Sequence, residues 1–206
     1  MAFTLWFIGL PASGKSTLAK RVENMLREDG IEVENLDGDG LRKNLHPDLG
    51  FSREDRMTNN RRTAFICRLL NRNGIATIVA MITPFRESQQ QIRKIIEPKG
   101  KVILVYVKCP AEVCADRDPK GLYERAKEGK IENFTGVNHP FQEPIDPDII
   151  VDTERNSPEK CVEEILDQLG SMGVLEARLL EDYRFDITHE EETEIIDRLR
   201  DRGYIE

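Results

Sequence analysis

The chain has 206 residues, of which 39% are hydrophobic and 33% charged, which predicts one globular domain with a single core. No stretch approaches the ~20 consecutive apolar residues that span a bilayer, and no signal-peptide pattern is present, so we expect a cytoplasmic protein that does not bind membranes. The net charge of −8 lies mostly in residues 170–206, with 11 acidic and 5 basic side chains, which argues against a nucleic-acid partner.

Cysteine and histidine show no metal-ligand spacing. The cysteines form no C-x-x-C pair, so we interpret them as reduced thiols in the core rather than zinc ligands. The histidines are scattered near proline or acidic residues, and we expect them on the surface or in loops. The cysteines are Cys67, Cys109, Cys114 and Cys161. The histidines are His46, His139 and His189.

The segment from Gly9 to Thr17 matches the pattern G-x-x-x-x-G-K-[ST]. An apolar run over 3–8 precedes it and apolar residues at helical spacing follow it. This order of strand, loop and helix is what a phosphate-binding loop requires, because the helix then points free N–H groups at an anion. We therefore predict an ATP site with Lys15 as the cation and Ser16 as a Mg²⁺ ligand. The predicted loop contacts are Gly9, Pro11, Ala12, Ser13, Gly14, Lys15, Ser16 and Thr17.

Strands and helices alternate along the rest of the chain. The pattern predicts helices over 15–28, 41–50 (short), 52–71, 87–97 and from residue 157 onward. It predicts strands over 3–8, 31–36, 74–82, 101–107 and 148–152. Such alternation indicates a three-layer α/β fold of the P-loop NTPase class, with a parallel central sheet and helices on both faces.

Two segments stand apart from this alternation. Residues 116–147 hold four prolines and three glycines, and we predict a lid there with a helical piece over 121–127. The glycines at 170 and 173 suggest a boundary between a domain over 1–169 and an acidic helical extension over 170–206. In that extension we expect an amphipathic segment over 174–180 and a helix capped by Thr188, packed on the body or on a second subunit.

Asp37 and Asp39 follow the second predicted strand, at the sheet edge where open α/β sheets bind ligands. Being two residues apart, their carboxylates project to the same side of an extended chain, suited to Mg²⁺ or an acceptor hydroxyl. The same Asp-Gly pattern is also common in solvated turns. The pair by itself leaves both interpretations open.

A series of motifs resembles the adenylylsulfate kinases, in the same order over about residues 3–169. They are Leu36-Asp-Gly-Asp-Gly-Leu-Arg42, Asp48-Leu-Gly-Phe-Ser52, Asp55-Arg56 with Asn59 and Arg61-Arg62, Ile82-Thr-Pro-Phe-Arg86, Arg117-Asp-Pro-Lys-Gly-Leu-Tyr123 and Phe134-Thr-Gly136. The resemblance implies transfer of the γ-phosphate of ATP, with Mg²⁺, to the ribose 3′-hydroxyl of adenosine 5′-phosphosulfate (APS). The product is 3′-phosphoadenosine 5′-phosphosulfate.

The resemblance also implies roles for individual residues. Asp39 would orient or deprotonate the 3′-hydroxyl and Asp37 would bind Mg²⁺ and substrate, while Lys15 and Thr83 complete the implied catalytic set. The residues implied to hold the phosphosulfate and ribose are Arg42, Arg56 and Asn59. Phe51 and Phe134 would sandwich the substrate adenine, and Lys120 would close over the anion from the lid. The further substrate contacts that the resemblance implies are Ile82, Thr83 and Asn133. Those implied at the ATP base are Arg117, Asn156 and Cys161.

Two positions depart from the family pattern. Gly40 stands where the family usually has Asn, and Thr83 stands where it has a Ser that has been proposed as a phosphoserine intermediate. We interpret Thr83 mainly as a positioning residue. These departures leave open a second hypothesis, a kinase for another nucleotide-linked or sugar anion. A third hypothesis is a non-catalytic nucleotide-binding regulatory module. Related kinases are often dimers, so a homodimer is possible.

Overall fold

A computed structural model describes residues 2–175, and its centre is a five-stranded parallel sheet. The strands are β1 (Phe3–Ile8), β2 (Val33–Asp37), β3 (Ala76–Ala80), β4 (Lys101–Lys108) and β5 (Ile149–Asp152). Their order across the sheet is β2-β3-β1-β4-β5. Because all neighbours are parallel, the carboxyl ends of all five strands meet at one edge of the sheet.

Helices cover both faces of the sheet. They are α1 (Lys15–Glu28), α2 (Gly38–Asn44), α3 (Arg53–Asn71), α4 (Arg86–Ile96), α5 (Ala111–Arg117), α6 (Leu122–Lys127) and α7 (Pro158–Ser171). Alternate residues of β1 enter different cores: Phe7 packs with α1 and α7, whereas Trp6 packs with α3 and α4. The predicted three-layer α/β fold is confirmed.

The lid segment is better packed than its composition suggests. The prediction of a helical piece near 121–127 is confirmed by α6, but α5 was not predicted because its short sequence overlaps the start of the assigned lid. Tyr123 and Phe134 pack edge-on, with ring centroids 5.0 Å apart, and join Cys114 in a third apolar cluster. This small core places the lid segment directly against the loop after β1.

The proposed boundary near residue 170 marks the end of a helix. Gly173 has a φ of 65°, and the Val174 N–H donates to the Leu169 carbonyl over 2.9 Å, as in a glycine-terminated helix. Leu175 is buried in the core next to α1 and α7. The packed body therefore reaches at least residue 175. The predictions for residues 176–180 and for the helix at Thr188 lie outside the described residues.

A buried polar cluster lies at the amino ends of the strands, opposite the edge where their carboxyl ends meet. Thr4 donates a hydrogen bond to the Asn71 side-chain oxygen over 2.8 Å, and its hydroxyl lies 2.8 Å from that of Thr77. The Asn71 amide donates to the backbone carbonyls of Phe3 and Ile75. This cluster links β1, β3 and the end of α3 at the amino ends of the strands.

The remaining predictions concern the cysteines, the histidines and membrane-spanning helices. All four cysteines are buried and free, which confirms the expected core thiols. His46 lies in the loop between α2 and α3, as the prediction of a surface or loop position allows, and its side chain is buried there. His139 is half-buried against the Phe85 ring, and His189 lies outside the described residues. Among residues 2–175, no helix is both long and apolar enough to cross a bilayer.

Candidate active site

The predicted site residues collect on the segments that follow the carboxyl ends of the strands. The loop after β1 leads into α1, and the Asp37 pair leads from β2 into α2. Ile82 and Thr83 follow β3, the lid follows β4, and Asn156 follows β5. The parallel sheet thus brings segments that are distant in sequence to one edge, where a ligand can contact several of them.

The loop after β1 offers unoccupied backbone N–H groups. Gly14 precedes α1 with a φ of 95°, no side chain caps the helix, and its first turn carries no acidic residue. The loop also lies close to β4, since a Cβ at Gly9 would stand 2.6 Å from the Val107 carbonyl oxygen. This geometry explains the glycine at position 9 and suits the binding of phosphate.

Lys15 is buried in this loop without an anionic partner among residues 2–175. Its ammonium donates to the Leu10 carbonyl and to the Ser13 hydroxyl, the latter over 3.3 Å. Burial lowers the pKa of Lys15 to about 8, because the charged form loses its water shell. A phosphate group would provide the missing counter-charge. Ser16 and Thr17, next in the chain, are exposed.

The predicted ATP-base residues have different surroundings. The Arg117 guanidinium donates to the Thr153 carbonyl and hydroxyl, and the Thr153 hydroxyl donates to the Ser13 carbonyl over 3.0 Å. Arg117 is therefore attached to the phosphate-binding loop through one residue. Asn156 is half-buried and donates to Glu164. The Cys161 side chain is fully buried in the core, so the structure does not place its thiol on the ligand surface.

The acceptor side centres on an exposed aromatic ring between two arginines. Phe51 is 54% exposed, and the guanidinium carbons of Arg42 and Arg56 lie 4.5 and 5.4 Å from its ring centroid. Neither arginine makes an ion pair within residues 2–175. Burial lowers the pKa of both, and for Arg56 the nearby Arg42 charge lowers it further, to about 10. Two poorly compensated cations beside an open ring favour an aromatic anion.

Arg56 also joins the acceptor side to the lid. Its guanidinium donates to the Phe51 carbonyl over 3.1 Å and to the Asn133 carbonyl over 2.7 Å. Phe134 follows Asn133 directly and is held by Tyr123, whose hydroxyl donates to the Pro11 carbonyl over 3.0 Å. The structure thus brings both predicted adenine-binding phenylalanines to the segments that Arg56 connects.

The carboxylates after β2 have separate environments. Asp37 caps α2, with one oxygen accepting from the Gly40 N–H over 2.9 Å. Asp39 is exposed and accepts from Lys120 of the lid over 2.7 Å, which raises the pKa of Lys120. Both partners are largely exposed, so this ion pair is weak and can exchange for a ligand. Asp37 is also exposed, so both carboxylates remain accessible to a ligand.

Thr83 lies in the interior. Its hydroxyl accepts from the Trp6 indole N–H over 2.8 Å, and its backbone carbonyl accepts from Gln89 over 3.3 Å. The φ of 45° is unusual for a β-branched residue. The Gly9 N–H donates to the neighbouring Ile82 carbonyl over 3.4 Å, which ties this turn to the phosphate-binding loop. These contacts suit a residue that positions the turn.

Backbone strain concentrates at this edge of the sheet. Among residues 2–175, the non-glycine residues with positive φ are Ala12, Thr83 and Asn133. One belongs to the phosphate-binding loop, one to the turn after β3 and one to the lid. Strained conformations of this kind persist where the surrounding structure holds them and cluster at ligand-binding sites.

The comparisons with known proteins agree with this geometry. The family model described as adenylylsulphate kinase matches residues 1–152. The chain belongs to the adenylylsulphate kinase family. An adenylyl-sulfate kinase of Halothermothrix orenii is 44% identical over 172 residues, covering 84% of this chain and 91% of the relative. The family assignment confirms the resemblance of the sequence motifs.

Two solved structures of family members are similar to this fold. The Mycobacterium tuberculosis APS kinase, in complex with AMPPNP and APS, superposes with a TM-score of 0.79 at 40% identity, covering 82% of this chain and 97% of that one. A hexameric APS kinase from Thiobacillus denitrificans gives a TM-score of 0.66 at 30% identity, covering 85% of this chain and 30% of that one.

Some contributors to the site were missed by sequence reasoning. Trp6 was seen only as part of an apolar strand, and Thr153 carried no motif. Tyr123 was quoted within a motif but given no role. His46 was predicted only to lie on the surface or in a loop, although its position between the Asp39 and Arg56 motifs was a usable signal. In each case the missing information was the partner across the fold.

Proposed function

We propose that this protein is an adenylylsulfate kinase that transfers the γ-phosphate of ATP to the ribose 3′-hydroxyl of APS. The reaction breaks the bond between the γ-phosphorus and its bridging oxygen, forms a bond to the 3′-oxygen, and releases one proton and ADP. Such a transfer needs little covalent chemistry from a protein and depends on positioning and charge stabilisation. The described residues suit both needs.

The donor half is the loop after β1. Its free N–H groups and the buried Lys15 ammonium would hold the β- and γ-phosphates. Arg117 and Asn156 would border the base of ATP, on the side where Arg117 is attached to Thr153. Because Lys15 has only neutral acceptors in residues 2–175, it can bind a phosphate without first breaking an ion pair.

The residues of the acceptor half are the main support for APS as the acceptor. The observation is the Phe51 ring, exposed between Arg42 and Arg56, neither of which forms an ion pair within residues 2–175. An adenine can stack on Phe51, and the two planar guanidinium groups can bind the oxygens of a phosphosulfate. Asp39 would then accept the proton of the 3′-hydroxyl, with Lys120 beside it.

The donor oxygens of Ser16 and Asp37 suit a Mg²⁺ ion. Ser16 presents an exposed hydroxyl, and Asp37 keeps one carboxylate oxygen free of hydrogen bonds to residues 2–175. Hydroxyl and carboxylate oxygens are the ligand types that Mg²⁺ prefers. When bound with ATP, the ion neutralises charge on the transferred phosphate.

The two sequence departures are Gly40, which places no side chain at the acceptor site, and Thr83. A Cβ at Gly40 would meet only the Asp37 carboxylate, at 3.6 Å, so the glycine fills no steric requirement. The Thr83 hydroxyl accepts from Trp6 inside the protein, which favours direct transfer between the nucleotides over a phosphorylated threonine. A homodimer remains a prediction from the family resemblance, and light scattering of the intact chain would measure it.

The test is ADP release by the full chain from ATP and Mg²⁺, with APS and with CDP- or UDP-linked acceptors in parallel. We expect turnover with APS and background ADP release with the pyrimidine acceptors. The product should co-migrate with 3′-phosphoadenosine 5′-phosphosulfate and not with its 2′ isomer. Turnover with a pyrimidine acceptor alone would replace the proposed acceptor, and turnover with none would support a non-catalytic nucleotide-binding module.

A further inference from the structure

His46 is a buried histidine next to the acceptor side of the site. Its side chain is 2% exposed, and its Nδ1 lies 2.6 Å from the Asn59 side-chain oxygen. Asn59 is itself 6% exposed and lies on α3 three residues after Arg56, so the two side chains share one face of the helix. His46 therefore contacts a residue of the acceptor site without belonging to the phosphate-binding loop.

The hydrogen bond fixes the orientation of the Asn59 amide. With the Asn59 oxygen toward His46, Nδ1 is the donor of this bond, because an amide oxygen can only accept. The Asn59 nitrogen is then turned away from His46 and lies 3.7 Å from the Met81 sulfur, which is a weak acceptor. That N–H₂ group can exchange this contact for a stronger acceptor on a ligand. The orientation that His46 imposes presents donors, rather than an acceptor, toward the strand end after β3.

His46 also connects the two helices that carry the acceptor residues. Its backbone N–H donates to the Leu41 carbonyl over 3.0 Å at the end of α2, the helix that holds Asp39 and Arg42. The side chain reaches α3, which holds Arg56 and Asn59. His46 thus contacts both helices, α2 through its backbone N–H and α3 through its imidazole.

We propose that His46 is a positioning residue for the acceptor nucleotide. It orients the Asn59 amide and sets the separation of α2 and α3, and so it governs binding of the acceptor and not of ATP. This inference rests on the proposed function, because the family resemblance implies Asn59 as a contact of the acceptor nucleotide. The competing interpretation is a core histidine whose hydrogen bond contributes to stability alone.

Two substitutions separate these interpretations. His46→Leu fills the space but removes the donor, whereas His46→Asn places an amide N–H close to the position of Nδ1. We expect His46→Leu to raise the KM for APS about tenfold while the KM for ATP stays within about twofold, and His46→Asn to restore most of the loss. The matched control is Thr4→Val, which removes a buried hydrogen bond at the opposite edge of the sheet.

Steady-state kinetics and urea unfolding of the full-length variants decide between them. Thr4→Val should lower the unfolding midpoint without changing the KM for APS. A KM for APS that is unchanged in His46→Leu, or raised equally in Thr4→Val, would overturn the inference. The wild-type protein is assayed with APS before any variant. If it does not turn over APS, the proposed function is overturned instead.

A double-mutant cycle provides the second measurement. If His46 acts through Asn59, its replacement by Leu should change the KM for APS about tenfold in the wild-type background and less than about twofold in an Asn59→Leu background. Equal factors in both backgrounds would contradict the positioning role. Should His46→Leu fail to fold, His46→Gln takes its place in the cycle, because its longer side chain displaces the donor while keeping the site polar.

Discussion

The indole N–H of Trp6 donates a hydrogen bond of 2.8 Å to the hydroxyl of Thr83, and both side chains are buried. Trp6 lies in the central strand, and Thr83 lies in the turn that follows the neighbouring strand β3. The bond therefore anchors a turn at the active edge to the middle of the sheet. It also uses the hydroxyl that a covalent phosphothreonine mechanism would need.

Removal of the Thr83 hydroxyl should lower the stability of the fold more than the rate of turnover. Thr83→Val keeps the shape but leaves the Trp6 N–H buried without an acceptor, so we expect the free energy of unfolding to fall by about 1–3 kcal/mol. Thr83→Ser keeps the hydroxyl and should retain turnover and most of the stability. Urea unfolding and steady-state kinetics measure both. Full stability with abolished turnover in Thr83→Val would indicate a chemical role for the hydroxyl.

Replacement of Asp39 should separate catalysis from nucleotide binding. Asp39→Asn removes the proton acceptor and weakens the contact with Lys120, so kcat with APS should fall by about 10²–10⁴-fold. Calorimetry should show unchanged affinity for an ATP analogue. Asp48→Asn is the control, because Asp48 is also an exposed carboxylate paired with a cation, Arg62. Comparable losses in both variants would contradict the assignment of Asp39.

Nucleotide binding should be accompanied by a measurable uptake of protons by Lys15. Its pKa of about 8 in the ligand-free protein leaves it mostly neutral at pH 8.5, and bound phosphates raise the pKa by stabilising the charged form. Binding at pH 8.5 should therefore take up roughly two-thirds of a proton, and binding at pH 6.5 should take up almost none through this group. Binding enthalpies in two buffers of different ionisation enthalpy measure the uptake. Buffer-independent heats at pH 8.5 would contradict the shift.

Two glycines of α2 should respond in opposite directions to alanine. At Gly40 the added Cβ meets only an Asp37 oxygen at 3.6 Å, so Gly40→Ala should raise the free energy of unfolding by about 0.5–1 kcal/mol. At Gly38 it would lie 3.2 Å from the Ala80 carbonyl and 3.3 Å from Met81, so Gly38→Ala should destabilise. Thermal unfolding tests both. A loss of turnover with APS in Gly40→Ala would show that position 40 contributes to acceptor choice.

Much of the fold could be predicted because its signals are local. The apolar runs of β1, β3 and β4 are those of strands covered on both faces, and the predicted helix start at residue 52 agrees with the capping box that Ser52 and Asp55 form at α3. The short helix α5 was not predicted, and the start of α2 was predicted too late in the chain. In α2 the cause is Asp37, which caps the helix at Gly38, three residues before the predicted start.

Sequence motifs identify the candidate ligand residues, whereas the residues that support them carry no such signal. Lys15, Asp39, Arg42 and Phe51 belong to spaced motifs that can be read along the chain. The buried partners of His46 and Trp6 are 13 and 77 residues away, and no local pattern encodes such pairings. Cys161 shows the converse, since its position near the last strand did not reveal that the thiol faces the core.

The polar cluster of Thr4, Asn71 and Thr77 lies at the edge of the sheet opposite the ligands. The two ends of the strands therefore differ in function. Buried hydrogen bonds stabilise the sheet at the amino ends. At the carboxyl ends, cations without ion-pair partners and strained loops form the site that binds the nucleotides. Substitutions at the first end should change how long the protein lasts in the cell, through its folded fraction. Substitutions at the second should change how fast it works.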